Sequence, residues 1–536
     1  MNMEKRVIFS FLALSVLSCA LICRIAVINE TLSSEASVSQ SARRIDVAES
    51  RGMIYDRNML PLVNRESRYV LAVDPTSEAM LCLKNELTES EYETALKNAS
   101  DGTPFLIECE KYEGECENIV CMSVYDRYSS AGTAKHIIGY LDSDNNGVSG
   151  IEKAFNDLLN KYSGTLSVRY TADVSGQVLR GSSFEAVSDG YMSGGGIVLT
   201  LDGEIQRICE NAMELNSLEN GAVAVLNAQT GEILALASTP AFDRENMSES
   251  LSDENSPFLN RALNAYSVGS VFKPIVAAAA IEAGISADTV FECTGSVTVN
   301  GQQFNCHKKD GHGALNMAEA VAVSCNSYFI QLGQQTGAEN IVKMASRLGL
   351  GAEISLCDGI TSVSGSLPDA DSLDSKPALA NLSFGQGTLL ATPLQIAAVY
   401  CAFANGGYYR EPYIFKEIVD GNGNVTAYYK NEINDKVLPD SVCEDVCEML
   451  ELTVSDGSGK LAKPMCYDAA GKTATAETGW IRDGEQIYHT WFAGYYPAEN
   501  PEYVIVVFKE DGDSSSTDCA PVFRDIADGI TGLYGG

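Results

Sequence analysis

Along this 536-residue chain the apolar pattern passes through three regimes. It begins with the basic pair Lys5 and Arg6, then an apolar, uncharged run at positions 7–23, then Arg24 followed by Ile25, Ala26, Val27 and Ile28. A helix of about 20 apolar residues matches the thickness of a bilayer core, and an arginine near one end reaches the headgroups along its own stem. Residues 7–28 therefore predict one transmembrane signal anchor. Basic residues stay on the cytoplasmic side, which leaves residues 1–6 as a cytoplasmic tail and the rest outside the cell, as a single-pass membrane protein with an extracytoplasmic catalytic domain. A cleaved signal peptide would need a small-x-small pattern closing the run, and lipid attachment at Cys19 is poorly served by Leu17.

The second regime, residues 29–190, consists of short elements. A polar stretch at 29–50 precedes the strand-like Tyr69-Val70-Leu71-Ala72-Val73, an acidic helical run at 89–97 and a β-rich stretch at 119–125. No catalytic pattern occurs among them. Ser193-Gly194-Gly195-Gly196 then breaks the chain. The third regime, residues 191–536, reads as one α/β domain. Residues 221–226 and 233–238 bracket Gln229-Thr230-Gly231 as a hairpin, two more strands lie at 490–496 and 503–508, and Ala-rich helical blocks fill the space between. That layout predicts an antiparallel sheet assembled from sequence-distant strands and flanked by helices. No repeat of 20–50 residues is present.

The net charge of -35 excludes nucleic acid as a partner, since phosphate binding needs clustered Lys and Arg. Only four histidines occur, leaving little room for a Ser-His-Asp triad. Sixteen cysteines are scattered, and Cys209, Cys325 and Cys401 fall in apolar helical stretches as small hydrophobes. Cys443 and Cys447 share a helical face and read as core. Cys293 and Cys306 flank a turn-rich segment and form the best candidate disulfide pair. With His307 and His312 they also suggest a zinc site, but the spacing fits no standard finger, so no metal and no cofactor are expected. Asp511-Gly512-Asp513 reads as a solvated loop. Gly385-Gln386-Gly387 has no following Lys-Ser or Lys-Thr and is not a phosphate loop.

Three clusters carry candidate chemistry. In Gly269-Ser270-Val271-Phe272-Lys273-Pro274 the glycine permits a tight turn, and a helix is predicted to begin at Ser270 and run to Gly284. Serine and lysine three positions apart then share a face, where a lysine of lowered pKa takes the proton of an attacking alcohol. Ser324-Cys325-Asn326 lies between two helical segments, placing a hydroxyl and a carboxamide to relay a proton and hold an amide. Gly471-Lys472-Thr473-Ala474-Thr475 has the composition of a strand beside a cleft, whose backbone binds an extended peptide.

Each cluster alone is common. Their conjunction in this order resembles the signature of penicillin-binding proteins and class A β-lactamases, and nearly the whole chain resembles the monofunctional class B penicillin-binding proteins. Arg51-Gly52-x-Ile54-x-Asp56-Arg57-Asn58, Ile138-Gly139-Tyr140 and Gly150-Ile151-Glu152 are similar to that family's pedestal elements. Leu199-Thr200-Leu201-Asp202, Gln206, Phe384-Gly385-Gln386-Gly387, Thr392-Pro393-x-Gln395 and Ala404-Asn405-Gly406-Gly407 are similar to its transpeptidase landmarks. The resemblance implies a serine β-lactamase-like transpeptidase domain at 191–536 on an N-terminal β-rich pedestal at 29–190. It implies Ser270 as nucleophile, Lys273 as base and Ser324 as proton relay toward the leaving amine. Asn326 would hold the donor peptide's amide, Lys472 and Thr473 its terminal carboxylate, and the backbone N–H groups of Ser270 and Thr475 the oxyanion. Lys472 would also keep Lys273 neutral by repulsion.

The reaction implied is crosslinking of peptidoglycan stem peptides, with β-lactams as acylating ligands and a SEDS-family glycan polymerase as partner beside other wall-synthesis proteins. The rival readings are a β-lactamase or D,D-carboxypeptidase, and a non-catalytic β-lactam sensor or scaffold. Three departures stand out: Val268 where the family commonly has proline, Met59 where it has glycine, and Ala474 where it has glycine. Strand alternation puts the Ala474 methyl on the Lys472 face, where it is expected to crowd the cleft and alter β-lactam affinity.

Overall fold

The computed structural model describes residues 3–129, 132–179, 181–429, 436–482 and 484–534. A single helix, Met3–Ser41, opens the chain, and its segment Ile8–Val27, with mean hydropathy 2.2, is long and apolar enough to cross a membrane.

Beyond it the chain folds as two compact units. The first holds residues up to Gly52, Val63–Ser129 and Tyr162–Ser193. Its central sheet has Glu66–Val73 between Phe105–Cys109 and Ile119–Asp126, all antiparallel. Successive side chains of the central strand face opposite ways. Leu71 and Val73 pack with Ala79, Leu83 and Ala95 of the helices Ser77–Glu86 and Glu89–Asn98. Val70 and Ala72 instead meet Leu166 and Val168 of a second three-stranded sheet, Ala42–Ser50, Gly164–Thr171 and Glu185–Asp189.

The second unit holds Met53–Leu62, Ser130–Lys161 and Gly194–Gly536. The segments carrying Ile54 to Asn58, Ile138-Gly139-Tyr140 and Gly150-Ile151-Glu152 thus cluster here. Met53–Tyr55 pairs in parallel with Gly196–Leu199, and Asp56 accepts the backbone N–H groups of Asn58 and Leu60 at 2.8 Å each and of Gly203 at 3.2 Å. That carboxylate fastens the segment to the positive end of helix α1, Gly203–Leu215.

The main sheet of this unit is five-stranded and wholly antiparallel. Its strands are β1 (Gly221–Asn227), β2 (Ile233–Thr239), β3 (Ala470–Arg482), β4 (Glu485–Tyr496) and β5 (Tyr503–Lys509), in the spatial order β2-β1-β5-β4-β3. Alternation sorts the faces: Val223, Val225, Ile505 and Val507 join α1 and the last helix, Ala520–Tyr534, in one core. Helix Pro393–Ala404 packs against β1, β4 and β5, and every residue from Pro393 to Phe403 is buried. A helix apolar all round belongs in the middle of a domain. Strand β3 ends the sheet, which leaves half of its backbone hydrogen-bonding groups facing away from β4.

Candidate active site

Ser270 lies where the chain enters the helix Lys273–Glu282. The helix does not begin at Ser270 as its sequence suggests: a turn of 3-10 helix, Gly269–Phe272, comes first, and Pro274 occupies the first α-helical turn. The approach to that turn is clamped by β4. The Ser267 backbone N–H donates to His489 Nδ1 at 3.2 Å, and its carbonyl accepts from Trp491 Nε1 at 2.9 Å. Burial pushes the His489 pKa down to about 4, so the ring is neutral and its Nδ1 free to accept. Gly269 sits at φ +64° and donates its N–H to the Gly385 carbonyl at 2.9 Å. A methyl group added at Gly269 would lie 2.9 Å from Ala476 Cβ and 3.4 Å from Ala474 Cβ, so β3 closes directly on this turn.

Lys273 is fully buried, and its ammonium makes three hydrogen bonds: to the Ser324 carbonyl at 2.7 Å, to Ser324 Oγ at 3.1 Å and to Asn326 Oδ1 at 2.7 Å. The first two predicted clusters are therefore one constellation. An ammonium has three protons, and this geometry uses all of them. Among the described residues no bond from Lys273 reaches Ser270, so accepting the serine's proton requires the neutral amine. Burial supplies it, pushing the Lys273 pKa down to about 7.

Ser324 and Asn326 come from the turn between helices Met317–Ala322 and Asn326–Thr336. The first is opened by a capping box between Asn316 and Glu319. Ser324 holds φ +57°, a left-handed conformation that costs a non-glycine residue about 1–2 kcal/mol. It turns its carbonyl and hydroxyl toward Lys273 in that state. Cys325 caps the next helix, its sulfur accepting the Tyr328 N–H at 3.4 Å.

Lys472, on β3, is also fully buried. Burial first and the Lys273 charge second hold its pKa well below the ordinary lysine value. The repulsion expected to act on Lys273 is thus felt at Lys472, while burial alone carries Lys273 down. Lys472 Nζ donates to the Thr473 carbonyl at 2.9 Å, and Thr473 Oγ1 pairs with Ser458 Oγ at 2.7 Å. Thr475 is exposed on the cleft strand, its hydroxyl 3.3 Å from Ser515 Oγ. Ala474 is buried, and its methyl lies beside the serine's turn, 3.4 Å from where a methyl group added at Gly269 would stand.

Ser458, His489 and Trp491 were not singled out by the sequence, and nothing in their spacing marks them. The cysteines bring a second surprise. Cys293 and Cys306 are free, buried thiols, not a disulfide. Their sulfurs converge with His312 Nδ1 and the Cys325 sulfur, all within 4.8 Å of one another, whereas His307 stands outside that group. A cavity of about 520 Å³ lined by His136, Glu210, Met213 and Leu236 contains none of the predicted site residues.

The family profile described as Transpeptidase, the penicillin binding protein transpeptidase domain, matches residues 221–528. The chain is similar to stage V sporulation protein D of Bacillus subtilis, at 29% identity over 521 residues, covering 90% of this chain and 77% of that protein. It is similar to peptidoglycan D,D-transpeptidase FtsI of Escherichia coli K12, at 28% identity over 415 residues, covering 75% of this chain and 66% of that one. Among solved structures, penicillin-binding protein 3 of Mycobacterium tuberculosis in complex with aztreonam superposes with a TM-score of 0.65 at 25% identity, covering 92% of this chain and 97% of that one.

Proposed function

This chain belongs to the penicillin-binding protein transpeptidase family, and on that footing we propose that it crosslinks peptidoglycan through an acyl-enzyme on Ser270. The relative FtsI is by name a peptidoglycan D,D-transpeptidase, and penicillin-binding protein 3 is solved with a β-lactam bound. The observation that carries the reading to these residues is Lys273, fully buried one turn past Ser270 and bonded to both Ser324 and Asn326.

The reaction runs in two halves. With Lys273 neutral, Ser270 Oγ gives its proton to Nζ and attacks the carbonyl of the penultimate D-Ala. Backbone N–H groups of Ser270 and Thr475, the latter on an edge strand free to take an extended peptide, hold the oxyanion. Lys472 and Thr473 hold the terminal carboxylate, and Asn326 the donor amide. As the tetrahedral intermediate collapses, Ser324 hands its proton to the departing D-Ala amine and takes back the one held on Lys273 Nζ, 3.1 Å away. The amine of a second stem peptide then attacks the ester, and the same relay runs in reverse. A β-lactam enters as the donor does but leaves a stalled ester.

The helix Ile8–Val27 fits a single membrane anchor, with the catalytic unit outside the cell where the stem peptides are. A membrane glycan polymerase of the SEDS family is the partner that would supply strands to crosslink. A fluorescent penicillin should label the full chain in membranes and fail to label Ser270→Ala. Lack of labelling of the folded wild type would overturn the reading.

A further inference from the structure

We propose that Cys293, Cys306, His312 and Cys325 bind one zinc ion that fixes the turn carrying Ser324 and Asn326. Zinc with three thiolates and one imidazole is tetrahedral, with Zn–S about 2.3 Å and Zn–N about 2.0–2.1 Å. Tetrahedral corners at those radii stand about 3.7–3.8 Å apart for two sulfurs and about 3.5–3.6 Å for sulfur and nitrogen. The observed separations are 3.9 Å for Cys306 Sγ to Cys325 Sγ, 3.5 Å for Cys306 Sγ to His312 Nδ1 and 3.6 Å for Cys293 Sγ to His312 Nδ1. These three separations match edges of a zinc tetrahedron, all four donor atoms lie within 4.8 Å of one another, and the Cys306–Cys325 separation is too long for a disulfide, whose sulfurs lie about 2.05 Å apart.

The surroundings suit thiolates. All three cysteines are buried. The backbone N–H of Tyr328 donates to the Cys325 sulfur at 3.4 Å. Such an N–H···S bond stabilises metal-bound sulfur and orients it. Cys293 ends the strand Phe291–Cys293, which pairs with Gly313–Leu315 just after His312, while Cys306 follows the hairpin of Ser296–Val299 and Gln302–Asn305. Gly311, at φ +79°, closes this loop: a side chain there would lie 2.2 Å from the Cys293 carbonyl. Soft sulfur ligands with one imidazole select zinc over magnesium or calcium. Binding releases three thiol protons to solvent and leaves the cluster with one net negative charge.

The consequence for the site follows from sequence adjacency. Cys325 lies between Ser324, held in a strained left-handed conformation, and Asn326, an acceptor for Lys273. A metal on Cys325 ties that turn to two hairpins and holds it in the one arrangement that meets Lys273. Cys325 is on this account a positioning residue.

The test starts from full-length chain extracted in detergent with reductant, loaded with zinc chloride and desalted. Elemental analysis should give about one zinc per chain, and X-ray absorption a shell of three sulfurs near 2.3 Å and one nitrogen near 2.0 Å. Cys306→Ser and His312→Ala should each lose most of the metal. Cys325→Ser should slow penicillin acylation about tenfold or more, with initial penicillin binding nearly unchanged. Less than about a tenth of an equivalent of zinc on folded wild type, an oxygen-rich shell, or a Cys293–Cys306 disulfide in chain isolated without reductant would each overturn the proposal. Metal content is read without any activity assay, so this outcome is independent of the acyl-enzyme reading.

Discussion

The buried amine beside Ser270 makes a prediction that can be worked through quantitatively. With its pKa at about 7, Lys273 is neutral in about 90% of molecules at pH 8, about 10% at pH 6 and about 1% at pH 5. If only the neutral form accepts the serine's proton, acylation by penicillin falls about tenfold per pH unit below 7 and levels off above 8. The sharper perturbation is Asn326→Asp, which replaces the neutral oxygen 2.7 Å from Nζ by a carboxylate. An opposite charge at that range favours the ammonium by about 1–3 pH units, so at pH 7, where half of the wild type is neutral, this shift alone should slow acylation about fivefold to five-hundredfold. If the carboxamide holds substrate as proposed, its loss lowers the plateau; the added charge moves the midpoint. Stopped-flow acylation from pH 5 to 10 separates the two effects. A flat wild-type profile between pH 5.5 and 8, or an Asn326→Asp midpoint unmoved from wild type, would refute the reasoning. Stability carries the same signature with a definite sign. Because the folded pKa lies below the ordinary lysine value of 10.5, the unfolded chain binds the extra proton, and Lys273 makes stability rise with pH from about 7 to about 10.5.

Other perturbations test the supporting structure. Ala474→Gly should leave acylation by several β-lactams within about twofold while lowering stability by about 0.5–1 kcal/mol; a tenfold change with any one drug would restore the idea of a crowded cleft. Arg261, almost wholly buried, bonds Glu510 at 3.0 Å. Glu510→Ala should therefore lower stability by about 3 kcal/mol, toward the low end for a broken buried pair because Glu510 still touches water, as read from a denaturation midpoint. His489, held near pKa 4 against an ordinary 6.5, favours the folded state only while neutral. Stability should drop as pH falls from 6.5 to 4, and His489→Phe should flatten that slope in urea titrations.

Most of the candidate site was legible because the residues nominated for its chemistry lie in short, contiguous motifs. Ser270 and Lys273 are one helical turn apart, and Ser324 and Asn326 flank a single residue, so local spacing sufficed to nominate them. The hairpin β1–β2 and the late strands were equally plain in the alternation of Val and Ala with turn residues. What sequence could not give was convergence. Cys293, Cys306, His312 and Cys325 are spaced like no standard finger, since the ligands come from two hairpins and a helix cap. His489 and Trp491 act through the backbone of Ser267, a contact of more than two hundred positions' separation. The 3-10 turn before Lys273 is not legible because propensity favours helix from Ser270, whereas the chain enters through Gly269 at φ +64°, with no room for a side chain beside Ala476.

The chain's route through the second unit also sets a schedule for synthesis. Asp56 must wait for Gly203, 147 positions later, and the carbonyl of Arg57 for the ammonium of Lys416, 359 positions later. During translation the first segment of this unit to emerge must wait for those partners, so Met53–Leu62 spends that interval as an open strand exposed to chance pairing. Any fragment started at residue 191 would leave Gly196–Leu199 without its parallel neighbour, so a soluble version that keeps Met53–Leu62 should be recovered in better yield than one that drops it.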